Sequence, residues 1–175
     1  MRRTSQVVVL VEDKRQQRFV RRYLYRLGYT RHDIQFEPAP GGEGSGAQWV
    51  LDRYTDVVTA CRSRSARAET ALVAAIDADD GSVAERQQQF HDRATRIVGE
   101  RIVHLIPKWS IETWILCLSG EVVDEDQTYR RVPDVDEKIS AAAVTFFIWS
   151  RPNATLPPHC TPSLRDAIPE VRRLD

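Results

Sequence analysis

The stretch ALVAAIDADD (Ala71–Asp80) joins a run of small and branched apolar residues directly to three carboxylates, Asp77, Asp79 and Asp80. The apolar half reads as a strand buried on both faces, because a strand with one wet face would alternate apolar and polar residues. The acidic half is costly. Like charges within a few ångströms repel, and each loses solvation on burial. Such a cluster persists when something positive sits in it or when the turn is open to water. The candidates are a divalent metal, an Arg or Lys pair, and solvent.

The same grammar recurs upstream. QVVVLV (Gln6–Val11) is a second continuous apolar run, and it ends in Glu12-Asp13. From Lys14 to Leu27 the period becomes helical, with Phe19, Val20, Tyr23, Leu24 and Leu27 on one arc and Arg15, Arg18, Arg22 and Arg26 on another. Gly28 is a helix stop. HDIQFEP supplies a short strand, Gly41–Gly46 a loop, and Gln48–Cys61 a second helix. After the strand at Ala71–Ile76 a helix is expected over Val83–Val98. Arg101–Ile106 is a fourth strand that Pro107 stops. Ser110 then caps a helix that ends at Gly120.

Strands alternating with helices argue for a mainly parallel four-stranded α/β sheet with helices on both faces. This core covers residues 1–120. Residues 121–175 read as a mostly helical extension packed on it: a loop to Pro133, one or two helices over Val135–Trp149, a Pro-rich connector, and a last amphipathic helix over Ser163–Leu174 that Pro169 bends or interrupts. Trp109, Trp114, Phe146, Phe147 and Trp149 read as core or interface.

Composition narrows the class. The chain has 175 residues, 42% hydrophobic and 29% charged, with zero formal net charge, as expected of one globular domain. Cys61, Cys117 and Cys160 are few, odd in number and far apart, which argues against a disulfide framework and for a reducing compartment. His159-Cys160 has no second ligand pair at zinc spacing. No signal peptide is evident and AAAVTFFIW is too short to span a bilayer, so the expectation is a cytoplasmic protein without membrane contact. Charge is uneven. Residues 1–31 carry nine Arg or Lys, with Glu12 and Asp13 as the acids. Residues 121–137 carry seven Asp or Glu against Arg130 and Arg131. A polyanion facing the basic end is consistent with that split.

In open parallel sheets, ligands bind beyond the carboxyl ends of the strands. Glu12 follows the first strand; Asp77, Asp79 and Asp80 follow the third. Oxygen donors without His or Cys suit Mg²⁺ or Mn²⁺. Glu112 lies just beyond the fourth strand, in PKWSIETW, and Lys108 beside it could hold a phosphate or offset charge. Each residue has a plainer reading. Strand-end carboxylates cap turns, Asp80 can cap the following helix, Glu112 suits a helix's first turn, and an Arg stripe is often a solvated face. The Gly-rich loop lacks the GK[ST] ending of a P-loop.

A strand ending in Glu and, much later, a strand ending in Asp-x-Asp resembles the Toprim domain. The matching stretches are VVVLVED with Glu12 and VAAIDADD with Asp77 and Asp79, within roughly Val7–Leu118. IPKWSIETWIL, with Glu112 and Trp114, is similar to a motif of small stand-alone Toprim-like proteins related to the overcoming-lysogenization-defect nucleases. The resemblance implies Mg²⁺-dependent phosphodiester chemistry on DNA or RNA. Glu12 would be the metal-organising or acid/base group, and Asp77 and Asp79 metal ligands, with Asp80 and Glu112 as further ligands. Lys108 would assist, and Arg15, Arg18, Arg22 and Arg26 would contact nucleic acid. It further implies an ABC-type ATPase partner supplied in trans, in phage defence; the oligomeric state stays open, a homodimer included. The chain offers neither a nucleophilic Tyr beside the cluster, as a topoisomerase needs, nor a primase-sized nucleotide region. Two alternatives remain. One is a non-catalytic binding or regulatory subunit. The other is a haloacid-dehalogenase-type phosphatase, suggested by DADDGS, although that family places its Asp-x-Asp on the first strand.

Overall fold

The computed structural model describes residues 5–39, 46–129 and 132–175. The Gly-rich stretch 41–45 and Arg2, Arg3, Arg130 and Arg131 lie outside these residues. The chain runs β1 (Gln6–Val11), α1 (Lys14–Arg26), β2 (Ile34–Phe36), α2 (Gly46–Ser65), β3 (Thr70–Ala75), α3 (Val83–Arg93), β4 (Ile102–Leu105), α4 (Ile111–Leu118), α5 (Val135–Trp149), α6 (Pro162–Val171) and a 3₁₀ turn, Arg172–Leu174. The four strands form one parallel sheet in the order β2-β1-β3-β4. This is the α/β architecture that the alternating pattern predicts.

Burial explains the strand composition. All six residues of β3 are buried, because helices cover both faces. Side chains alternate between the faces with period two. Val7, Val9, Val73 and Val103 face a layer built by α1, α4, α5 and α6, with Phe19, Trp114 and Phe146 at its centre. Val8, Leu10, Leu72 and Ala74 face α2 and α3, with Tyr54 and Phe90. Phe146 packs on Phe19 and Tyr23, with ring centroids 5.5 and 4.9 Å apart. The C-terminal helices therefore complete the core of the sheet. Truncating a ring such as Phe146 to Ala costs about 3–5 kcal/mol in comparable cores.

The strand order decides where a ligand can sit. From β1 the chain crosses on one face to β2. It then returns over the other face, past β1, to β3. The crossovers diverge between β1 and β3, and a crevice opens there at the carboxyl edge. The outer edge of β4 is closed by side chains. Glu170 accepts a bond from the His104 N–H (3.0 Å), Arg96 donates to the Ile102 carbonyl (3.2 Å), and the two side chains pair at 2.6 Å. An edge finished this way does not offer itself to another strand.

Several boundaries differ from the sequence reading. α2 is longer at both ends, and α3 stops at Arg93 instead of Val98. Ala94 is extended, and Ile97 and Val98 point to solvent, so no apolar face continues the helix. Ser82, and not Asp80, caps α3. Its hydroxyl accepts from the Glu85 N–H (3.1 Å) while the Glu85 carboxylate accepts from the Ser82 N–H (2.6 Å), a reciprocal capping box. Ser110 occupies the N-cap position of α4 without a side-chain bond. Val135–Trp149 is one helix, and α6 runs through Pro169 before tightening into the 3₁₀ turn. Among the described residues no helix is long and apolar enough to cross a membrane.

Candidate active site

Glu12 and Asp77 meet at the crevice between β1 and β3. The pairing of Val11 with Ala75 brings the two strand ends level. A Glu12 carboxylate oxygen, Oε2, then accepts the Asp77 backbone N–H at 3.0 Å. Gln16 ties the two residues together. Its Nε2 donates to Asp77 Oδ1 (2.8 Å), and its Oε1 accepts the Glu12 N–H (2.9 Å). Gln16 is fully buried, and its aim is set by the start of α1. There Asp13 is the N-cap, accepting from the N–H groups of Arg15 (2.7 Å) and Gln16 (2.8 Å).

The electrostatics of this pair are unfavourable to charge. Asp77 is 7% exposed. Burial, followed by the nearby Glu12, Asp13 and Asp79 carboxylates, pushes its carboxyl well above the usual range, and the Gln16 bond only partly opposes this. Glu12 is raised in the same way, first by burial and then by Asp79 and Asp13, against the pull of the Asp77 N–H and of Arg86. Asp13 is raised by burial in spite of its two backbone bonds.

Two cations stand close by: Lys108 holds backbone, while Arg86 divides its donors between backbone and side chains, Gln89 Oε1 (2.9 Å) among them. Arg86 donates from Nε to the Asp77 carbonyl (3.0 Å) and approaches Asp79 Oδ2 at 3.5 Å. Lys108 donates from Nζ to the carbonyls of Asp79 (3.2 Å) and Gly81 (2.8 Å) and lies 4.9 Å over the Trp109 ring. Together they clamp the loop 77–82, in which Asp79 takes a left-handed φ of 52°. Gly81 is required by space as well: a Cβ there would come 3.0 Å from Glu85 Oε2 and 3.2 Å from the Ala78 carbonyl oxygen. An open cavity of about 570 Å³, lined by Asp79, Asp80, Ser82 and Arg86 among others, borders the loop.

The predicted residues are thus partly assembled. Glu12, Asp77 and Asp79 share one electrostatic neighbourhood. Asp80 is exposed on the cavity rim. Lys108 supports the loop. Glu112 is placed differently: buried, it accepts a bond from Arg15, and the carboxylate it influences is Asp13. Arg15 also faces Asp136 at 3.5 Å, and Arg18 pairs with Asp136 at 3.0 Å, so two members of the stripe already hold acids. The sequence reading missed Gln16, Arg86 and the cap at Asp13. Gln16 could have been noticed as a polar residue on the buried arc that continues through Phe19, Val20 and Tyr23. Arg86 carries no such signal.

Among the described residues no three His, Cys, Asp or Glu side chains are arranged to hold a metal ion. An all-protein cage of the zinc or calcium kind is not what these residues build. An all-oxygen pair such as Glu12 and Asp77 fits Mg²⁺, which keeps several waters and takes one or two carboxylates plus substrate phosphate.

No family model, no curated protein and no solved structure matches the chain.

Proposed function

We propose that the chain is a divalent-metal-dependent phosphodiester hydrolase of Toprim type, acting on DNA or RNA. One observation carries the reading. Half-buried Glu12 and buried Asp77 meet at the switch point with raised pKa values, while Lys108 holds backbone carbonyls and Arg86 is shared among the Asp77 carbonyl, Gln89 and Asp79. Perturbed carboxylates in a crevice mark sites of chemistry more often than turns.

Glu12 and Asp77 would hold Mg²⁺ or Mn²⁺, with Asp79 at the mouth. Bound there, the ion supplies positive charge to the scissile phosphate and to the leaving oxygen. The chain's own residues do the rest. Gln16 fixes the rotamer of Asp77, and the Asp77 N–H fixes that of Glu12. Where Glu12 does not itself ligate the ion, its raised pKa suits it to take up the proton of the attacking water at its carboxylate. Arg86 and Lys108 keep the loop 77–82 in its left-handed turn. Glu112 acts at a distance, by holding Arg15.

The test is incubation of the purified protein with Mg²⁺ or Mn²⁺ and plasmid DNA, single-stranded DNA and structured RNA. Metal-dependent cleavage that falls by about 10³-fold or more in Asp77→Asn is expected, the scale on which loss of an electrostatic catalytic group registers. Cleavage that persists in EDTA, or is equal in the variant, refutes the reading. Metal binding without cleavage supports the second reading, a binding subunit. The ABC-type ATPase partner and a role in phage defence rest on the family resemblance alone; cleavage indifferent to ATP and to any co-purifying ATPase removes them.

A further inference from the structure

α1 and α5 enclose a cleft of about 430 Å³ whose walls include Arg18, Arg21, Arg22, Tyr25, Asp136 and Ser140. Three guanidinium groups in one cleft repel one another. Asp136 is the carboxylate that pairs with them among the described residues, through Arg18. Arg21 lies 4.6 Å over the Phe36 ring. That contact steadies the group and consumes none of its N–H donors. Arg22 is exposed, and Tyr25 leaves 38% of its surface in water.

We infer that this cleft takes the phosphodiester backbone of a nucleic acid, with Asp136 holding the place of a phosphate. The inference rests on the proposed phosphodiester substrate and assigns where its chain runs. Three features select this ligand. First, the Arg18–Asp136 pair has both side chains more than half exposed (55% and 53%); such a pair is worth about 0–1 kcal/mol, so a phosphate displaces the carboxylate at little cost. Second, an exposed aromatic beside arginines is what a base or sugar stacks on. Third, the cleft runs along the helix that starts beside the carboxylate site. α1 begins at Asp13 beside Glu12, and its rise of ~1.5 Å per residue puts Arg18, Arg22 and Tyr25 ~7, ~13 and ~18 Å along the axis. Phosphates recur every ~3.4 Å along a duplex strand. A chain of phosphates at that spacing meets Arg18 and Arg22 at once, whereas a small phosphate ester meets one of them. Arg15 takes less part than its position in the stripe suggests, because Glu112 already holds it. Arg21, which is not on the stripe, takes part instead.

The test is equilibrium binding of labelled single- and double-stranded oligonucleotides by the full chain in EDTA, where no cleavage occurs. The double variant Arg18→Gln/Arg22→Gln is expected to weaken binding about tenfold or more and to flatten the salt dependence by roughly two phosphate contacts. Asp136→Asn is expected to tighten binding several-fold and to steepen that dependence. Arg26→Gln, outside the cleft, moves affinity less than either, and circular dichroism melts verify that each variant is folded. Unchanged affinity in both cleft variants overturns the assignment, as does equal competition by polyglutamate. Asp77→Asn and the parent, assayed for cleavage with Mg²⁺ beside these binding measurements, separate the two proposals. If no protein cleaves but binding follows the cleft variants, the nuclease reading fails and the cleft stands. If cleavage follows Asp77 but binding ignores the cleft, the reverse holds.

Discussion

Asp77 and Glu100 are acids at opposite ends of the same sheet, and the protein treats them in opposite ways. Glu100 precedes β4 at the amino edge. Arg62 grips it with two bonds, Nε to Oε1 at 2.5 Å and Nη2 to Oε2 at 3.1 Å, and the Ile97 N–H adds a third at 2.7 Å. Those bonds, the Arg62 one foremost, hold its pKa below the usual carboxylate range in spite of some burial. Asp77 follows β3 at the carboxyl edge, deeper in the protein, with the Gln16 amide as its side-chain partner. Arg86 donates to its backbone carbonyl and pairs with Asp79 instead. The chain thus grips a strand-end acid with a forked cation at one edge, while at the other the Asp77 carboxylate meets an amide.

An external cation should therefore act on one edge alone. Mg²⁺ at about 100 times its dissociation constant is expected to stabilise the native state by about 2.7 kcal/mol. Asp77→Asn should abolish that gain and Glu100→Gln should preserve it, as read by thermal or urea melts with and without metal. Equal metal stabilisation of the Asp77→Asn protein would break the contrast between the edges. Without metal the contrast reverses sign between the two acids. Glu100→Gln removes the charge from a forked Arg62 bond and is expected to cost about 1–2 kcal/mol in a urea melt. A neutral result would mean that the exposed part of Arg62 dissipates the bond.

Much of this contrast was legible beforehand, and the part that was not has a physical cause. Two uninterrupted apolar runs, each about six residues long and cut off by acids, read as strands covered on both faces, so β1 and β3 followed from pattern and length, and with them the shared edge of Glu12 and Asp77. The helix start at Ser82 was legible too, since Ser82 and Glu85 stand at capping-box spacing; the more conspicuous Asp80 drew the assignment. Contacts between distant segments were not legible. Nothing local in SIETWIL says that Glu112 meets Arg15, nor in VDEKIS that Asp136 meets Arg18. An arginine stripe reads the same in sequence whether solvent, acid or phosphate faces it. The late helices looked like an extension because α5 has a weakly sided apolar pattern. Its Phe146 nonetheless fills the space between Phe19, Tyr23 and Trp114.

The smallest expected effect is the most direct probe of the unpaired edge. Asp77 has a raised pKa in the folded state, so the native protein binds its proton more tightly than the unfolded chain, where the group titrates near about 4. The stability this group contributes is fully present below that pH and is lost as pH rises through the folded value. Glu12 and Asp13 are shifted in the same direction and add to the trend. Asn at position 77 keeps the shape, can accept the Gln16 bond and cannot ionise. Asp77→Asn is therefore expected to match the parent near pH 3.5 and to exceed it at pH 8 in metal-free buffer, by a margin that opens as pH rises between the unfolded and folded values. Saturating Mg²⁺ should then reverse the ranking, because the ion rewards the charge that burial penalises. A variant less stable than the parent at pH 8 without metal would mean that Asp77 is a structural acid whose charge the fold already satisfies. The variant's gain without metal and its deficit with metal are one property of the site, measured from its two sides.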